Sequence, residues 1–233
     1  MSAALRLAAA LGLAALAAVG CRTTLPDPGP LASSTVAADF GTYRLARVGL
    51  LPFAGRDLSP ESAANLQRAF QLELARVMPY ELVPLTVADL EEVRAGNPYL
   101  RGRYEPPAIL EVARRYRLDA LLIGTVTQNE PYPPQALGLE VELVATETGQ
   151  PLWTSSVHLD AGDARVRARL ELWQDSHKAD GGGRESVQLT LVSPERFARF
   201  AAWEVATSTL REDEQDEGAP ARTYTPRNAS SLR

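Results

Sequence analysis

A mixed α/β fold in one domain is the class that three features of the sequence point to. The first is Leu118-Asp119-Ala120-Leu121-Leu122-Ile123-Gly124-Thr125-Val126-Thr127, a run too apolar for a surface strand; it reads as a central strand buried on both faces. The second is the segment after it. Leu137 to Val144 alternates apolar and polar residues, Thr146 to Gln150 makes a turn around Gly149, and Pro151 to Asp160 returns, which is the pattern of an antiparallel meander. The third is a pair of helix starts, Ser59-Pro60-Glu61 and Ser193-Pro194-Glu195, each with a capping serine, a proline at the first helical position and an acid near the positive end of the dipole. In chain order the expected elements are β-α-β-α-α-β-β-β and then C-terminal helices. They make a single three-layer-like α/β domain around a mixed sheet of about five strands.

The chain has 233 residues, and roughly 150 ordered ones suffice for one domain with its own core. A net charge of −5 argues against a nucleic-acid partner, which would want a basic face. Residues 1–20 read as a targeting segment. Arg6 supplies the positive start, and Leu7 to Val19 is an Ala/Leu run of ~13 residues, short for a bilayer's ~30 Å core and suited to a signal peptide. The run ends in Ala18-Val19-Gly20-Cys21, and Cys21 is the one cysteine in the chain. These residues resemble the bacterial lipobox, with Ala18 where leucine is usual. The resemblance implies a diacylglyceryl group on the Cys21 sulfur, cleavage before it and amino-terminal acylation, palmitate being a typical chain; the alternatives are an ordinary signal peptide with a chance cysteine and an uncleaved anchor helix. Arg22 follows, not the aspartate of the inner-membrane sorting rule, so an outer-membrane anchor facing the periplasm is expected. Residues 21–43 are expected to be a flexible tether, because Leu25-Pro26-Asp27-Pro28-Gly29-Pro30 disfavours both helix and sheet.

The domain is expected over residues 44–210. Leu45 to Phe53 reads as the first strand, ended by Pro52. The helix after Ser59 carries Leu66, Phe70, Leu74 and Val77 as a core stripe. Tyr80 to Leu85 is a short strand placed near an edge by Pro84. Thr86 caps a second helix with Asp89 in its first turn. A helix from Pro106 carries Ile109, Val112, Ala113 and Tyr116 on one face, and Arg114, Arg115 and Arg117 near its C-terminus read as a solvated face. Residues 162–175 fit a helix by Val166, Leu170 and Trp173, and a strand by alternation; their length and the boundary at Asp160, Gly162 and Asp163 favour helix. Val187 to Val192 reads as extended. The last helix carries Phe197, Phe200, Ala201 and Val205 on one side. From Arg211 to residue 233 an acidic run and a Pro/Ser/Asn-rich tail read as disordered.

Residues that could carry chemistry are few. His158 sits in an alternating strand and His177 in a polar loop, neither with a second ligand at metal spacing, so both read as satisfied or solvated and no metal or cofactor is expected. No nucleophile elbow or phosphate loop is present in the sequence, and the acidic pairs Glu91-Glu92 and Asp213-Glu214 lie on a helix face and in the tail. Trp153, Trp173 and Trp203 read as core. The best candidate for partner binding is the loop from Gly96 to Glu105, which gathers Tyr99, Arg101, Arg103 and Tyr104. Tyrosine and arginine combine flat contact area with directional donors and are enriched at interface hot spots. The ordinary alternative is a polar loop whose tyrosines pack back onto the domain.

Three segments together resemble a known family. Val48-Gly49-Leu50-Leu51-Pro52-Phe53, Leu118 to Val126, and Thr148-Gly149-Gln150-Pro151-Leu152-Trp153 are similar, in order, to the opening strand, buried strand and hairpin of CsgG-like curli-secretion lipoproteins and of the TolB amino-terminal domain. The resemblance implies an envelope α/β domain used in protein–protein contacts, with no shared catalytic residue. The long inserts that become membrane hairpins in the channel members have no counterpart here: the gaps at Asp57 and at Gln128 to Gln135 are too short. The expected function is therefore a non-enzymatic periplasmic lipoprotein that binds an unidentified envelope protein. A subunit of an oligomeric envelope or secretion assembly, and an envelope hydrolase with an unfamiliar site, are the alternatives.

Overall fold

The structure, a computed structural model, describes residues 28–92, 99–100, 103–104, 106–177 and 187–215. The apolar run forms β7, Ala120–Glu130. It pairs in parallel with β2 (Arg47–Leu50) and β3 (Ala54–Gly55), and antiparallel with β8 (Ala136–Ala145). Beyond β8 lie β9 (Pro151–Asp160) and then β1 (Ser33–Val36), both antiparallel to their neighbours. On the other side, β4 (Glu81–Pro84) runs parallel to β2. The seven-stranded sheet has the order β1-β9-β8-β7-β2-β4, with β3 continuing alongside β7. As Pro84 suggested, β4 is an edge strand: a residue without an amide hydrogen costs least where no neighbour needs it.

Helices cover both faces. One layer contains α1 (Pro60–Leu74), α4 (Ala164–His177), α5 (Val187–Val192) and α6 (Pro194–Gln215). The other contains α2 (Val87–Glu92) and α3 (Pro106–Tyr116). The pleat of β7 sends alternate residues to the two cores. Ala120, Leu122 and Val126 join Phe70 and Phe200 in the larger one; Leu121 and Ile123 join Leu90, Ile109 and Val112 in the smaller. Gly124 leaves room for a ring against the strand: a Cβ there would stand 2.2 Å from Phe53 Cε1. Phe53 in turn meets Phe70 of α1 with ring centres 4.7 Å apart. The caps form as the sequence predicts, with Ser59 Oγ accepting the Ser62 amide at 3.1 Å and Pro60 opening α1.

Four expectations are corrected. The sheet has seven strands, not about five, because β1 and β3 are short pieces with no periodicity of their own. β1 lies inside the segment expected to be tether: Ser33 to Val36 pair with Ser156 to Trp153 of β9, so the Pro-rich stretch ends earlier than residue 43. Val187 to Val192 is helical, because Val187 and Leu191 fall one turn apart and both pack on the larger core. Finally, α6 continues through Gln215, into the stretch from Arg211 expected to be disordered; residues 216–233 lie outside the described residues. The segment after Gly162 is the helix that its length favoured, not the strand.

The larger core holds buried charge that the apolar stripes conceal. Arg169 of α4 and Glu204 of α6 are 2 % and 0 % exposed in their side chains and pair at 2.6 Å. Glu204 Oε2 also accepts the Leu31 amide at 3.0 Å, and the Arg169 guanidinium lies 4.6 Å from the Trp203 ring centre. A second cluster surrounds Glu73 of α1, which receives Arg199 Nη2 at 3.2 Å and lies 3.1 Å from His177 Nε2. His177 is thus a satisfied histidine at the last position of α4, held against a carboxylate, and does not lie in the polar loop that the sequence suggested. Glu73, Arg169 and Glu204 occupy stripe positions: Phe70-Glu73-Leu74, Val166-Arg169-Leu170 and Ala201-Glu204-Val205 follow helical spacing. Charges there were the available signal, and they pair because an unpaired one would carry an uncompensated desolvation cost.

Leu122 tests this architecture. It is fully buried in β7, so Leu122→Ala should cost about 2–5 kcal/mol of unfolding free energy through lost transfer energy and the cavity left behind. Urea unfolding of the soluble domain measures this; a loss below ~0.5 kcal/mol would contradict a central β7.

Candidate interaction surface

The loop singled out for partner binding folds back on itself. Tyr99–Leu100 forms β5 and Arg103–Tyr104 forms β6, an antiparallel pair with Tyr99 opposite Tyr104 and Leu100 opposite Arg103. Register places the two tyrosines across from one another and brings Tyr99, Arg103 and Tyr104 into one short ribbon. Arg101 lies outside the described residues, as does Cys21. The hairpin forms a sheet of its own, apart from the main one, and connects α2 to α3.

The helices on either side of it are joined through one carboxylate. Asp89 occupies the third position of α2, where it and the capping residue Thr86 form a reciprocal box: Thr86 Oγ1 accepts the Asp89 amide at 3.2 Å, and Asp89 Oδ2 accepts the Thr86 amide at 2.6 Å. The Thr86 hydroxyl also donates to Asp89 Oδ2 at 2.6 Å. Across the gap, the Tyr116 hydroxyl at the end of α3 donates to Asp89 Oδ1 at 3.0 Å. Arg115 adds an exposed pair to Glu92 at 3.6 Å, the kind worth little by itself. The Thr86 side-chain and backbone bonds, and then Tyr116, hold the Asp89 carboxyl below the usual carboxylate range. Desolvation, and then the bond to Asp89, push the Tyr116 hydroxyl up. The hairpin is thus strung between two helices whose bases are fastened together.

Two other faces bear on the question. The helix layer of α2 and α3 covers β4, β2 and β7, while Ser156 and His158 of β9 are exposed on the same side of the sheet; His158 is solvated as its alternating strand suggested. On α6, Arg196, Arg199 and Trp203 form a half-buried strip that turns inward. Arg199 is bound to Glu73, and Trp203 stacks on Phe200 with ring centres 6.2 Å apart. Sequence reasoning passed over Tyr132, which is 82 % exposed at the tip between β7 and β8; its signal was an aromatic set among Pro131, Pro133 and Pro134. Among the described residues, no group of three or more His, Cys, Asp and Glu side chains is placed to hold a metal ion, and no helix is long and apolar enough to cross a membrane.

No protein family matches the sequence, and no curated protein matches it either. Solved structures share parts of its shape. The PelC dodecamer from Paraburkholderia phytofirmans is similar at a TM-score of 0.40 with 10 % identity, over 72 % of this chain and 94 % of that one. Lipoprotein GNA1162 from Neisseria meningitidis is similar at 0.40 with 15 % identity, over 60 % of this chain and 99 % of that one. The LpoB C-terminal domain from Escherichia coli is similar at 0.35 with 15 % identity, over 50 % and 84 %.

The α2–α3 junction has a pH signature. Asp89 titrates lower in the folded chain than in the unfolded one, so its contribution is complete above the ordinary carboxylate value of ~3.9 and is lost as the pH falls through the depressed value. Asp89→Asn should therefore lower stability at pH 7, and the gap between parent and variant should narrow on going to pH ~3. Thermal unfolding at both pH values checks this. An equal gap at both would show that the carboxylate charge has no part in the junction.

Proposed function

We propose that this chain is a non-enzymatic lipoprotein of the bacterial envelope, anchored through acylated Cys21, sitting on the outer membrane and facing the periplasm, where it binds another envelope protein. The observation that carries this reading is the Ala/Leu run that ends at the only cysteine of the chain. An anchor of two or more acyl chains gives stable attachment, since each buried CH₂ is worth ~0.8 kcal/mol. The folded part supports the reading in a second way. Its buried charges are bound to one another across helices, so they serve the interior and leave the work to a surface.

The surface proposed for that work is the β5–β6 hairpin with Tyr99, Arg101, Arg103 and Tyr104. Tyrosine and arginine are the residue types enriched at interface hot spots, and the backbone register sets Tyr99 opposite Tyr104.

Two experiments test the proposal. Cys21→Ser should abolish incorporation of labelled fatty acid and leave the precursor uncleaved; normal labelling of the variant would refute acylation at Cys21. Replacing Tyr99, Arg101 and Tyr104 together by Ala should leave the melting temperature nearly unchanged. The same change should weaken partner capture by at least ~2 kcal/mol, the usual hot-spot threshold. A triple variant that unfolds would make the tyrosines core, and one that is stable and recovers the same partners would move the binding surface elsewhere.

A further inference from the structure

We infer that the end of the domain where the described chain begins lies against the lipid bilayer, with Tyr132 seated at headgroup level as a second membrane contact beside the anchor. The inference rests on the reading that Cys21 is acylated.

The topology gathers the relevant parts at one end of the sheet. β7 finishes at Glu130, β8 starts at Ala136 and β9 finishes at Asp160; β1 starts opposite Ser156, midway along β9, and because the ladder is antiparallel the residues before Ser33 lead toward that end. The connection between β7 and β8 is bonded to the turn that follows β9, since the Gln135 carbonyl accepts the Ala161 amide at 2.8 Å. The beginning of the chain comes in beside that turn. Arg165 Nη2, in the first turn of the helix that follows it, donates to the Pro28 carbonyl at 3.5 Å, and the Leu31 amide, farther into the domain, donates to the buried Glu204 of α6 at 3.0 Å. Pro28 and the Tyr132 loop therefore leave the domain at a common end.

Length then limits where that end can go. Residues 22–27 separate Cys21 from Pro28. Fully extended at ~3.3–3.6 Å per residue they reach about 25 Å, less than the breadth of the folded domain. A cysteine held at the bilayer surface keeps Pro28, and with it the Tyr132 loop, on the membrane side.

The side chain at that end suits the place. Tyr132 is 82 % exposed, and prolines at 131, 133 and 134 fix the backbone on both sides of it, so little freedom remains to be lost on contact. A tyrosine ring with one apolar body and one polar tip is favoured where hydrocarbon meets water. Charge does not drive the contact: exposed Glu130, Asp160 and Asp163 offset exposed Arg165 and Arg167 around the same end. Zwitterionic headgroups are therefore sufficient, without a requirement for anionic lipid.

The test uses full-length lipidated protein carrying Tyr132→Cys, or Glu147→Cys in the exposed turn at the opposite end of β8 and β9. Acylation consumes the Cys21 thiol, so a bimane label goes to the new cysteine alone. The proteins are reconstituted into phosphatidylcholine vesicles with or without brominated acyl chains. The label at residue 132 should be quenched several-fold more by brominated lipid than the label at residue 147. Protein that floats with the vesicles but shows no excess quenching at 132 overturns the membrane contact while leaving the anchor intact. Near-complete disulfide-linked dimers of the unlabelled Tyr132→Cys protein in the same vesicles overturn it in favour of a second copy of the chain. Protein that carries no acyl group and does not float refutes the anchor itself, and the contact with it.

Discussion

β7 is buried from both sides, and most of the architecture follows from satisfying that condition. A strand with Leu122 facing one way and Leu121 and Ile123 facing the other needs an apolar layer over each face. Its parallel neighbour β2 supplies half of its ladder, and parallel strands cannot be joined by a tight turn. The chain must cross over between them, and the crossings are what deliver the layers: α1 returns over one face between β2 and β4, and α2 and α3 return over the other between β4 and β7. The antiparallel half needs only tight turns, so β8 and β9 follow directly. Their far face can then stay polar, with Ser156 and His158 in solvent.

The larger helical layer is held in register by charge placed inside it. Arg169 to Glu204 joins α4 to α6, and Glu73 joins α1 to both through Arg199 and His177. Apolar packing tolerates sliding of one helix past another, whereas a buried pair with a fixed bond direction does not. Removing one partner of such a pair generally costs about 3–5 kcal/mol, mostly because the other charge is left buried alone. Glu204 has a further role, since its second oxygen takes the Leu31 amide and fixes where the chain joins the domain. The same residue therefore sets helix register and holds the chain at Leu31.

Much of this was legible because it depends on periodicity. The run at Leu118 to Thr127, the alternation after it and the stripes of α1, α3 and α6 each announce what they bury, and Ser59, Thr86 and Pro84 mark boundaries by capping chemistry or by a missing amide. The elements that escaped are those whose conformation is imposed from outside. Ser33 to Val36 is polar and follows a proline-rich stretch; it becomes a strand only because β9 offers an edge. Val187 to Val192 is too short for its period to settle between helix and strand, and packing decides. Sequence could nominate Tyr99, Arg101, Arg103 and Tyr104 by type, while the pairing of Tyr99 with Tyr104 needed the hairpin register. Tyr132 was hidden by its setting, because a proline-rich turn reads as a connection and its exposure emerges only in three dimensions.

What stands at residue 21 decides whether the sheet-centred domain is held at a membrane. Intact mass of the mature protein, extracted with detergent from its own envelope, tests that directly. The account predicts a chain that begins at Cys21 and carries the added mass of a diacylglyceryl group and an amino-terminal acyl chain. A mature chain that begins elsewhere, or that begins at Cys21 with an unmodified thiol, would contradict it.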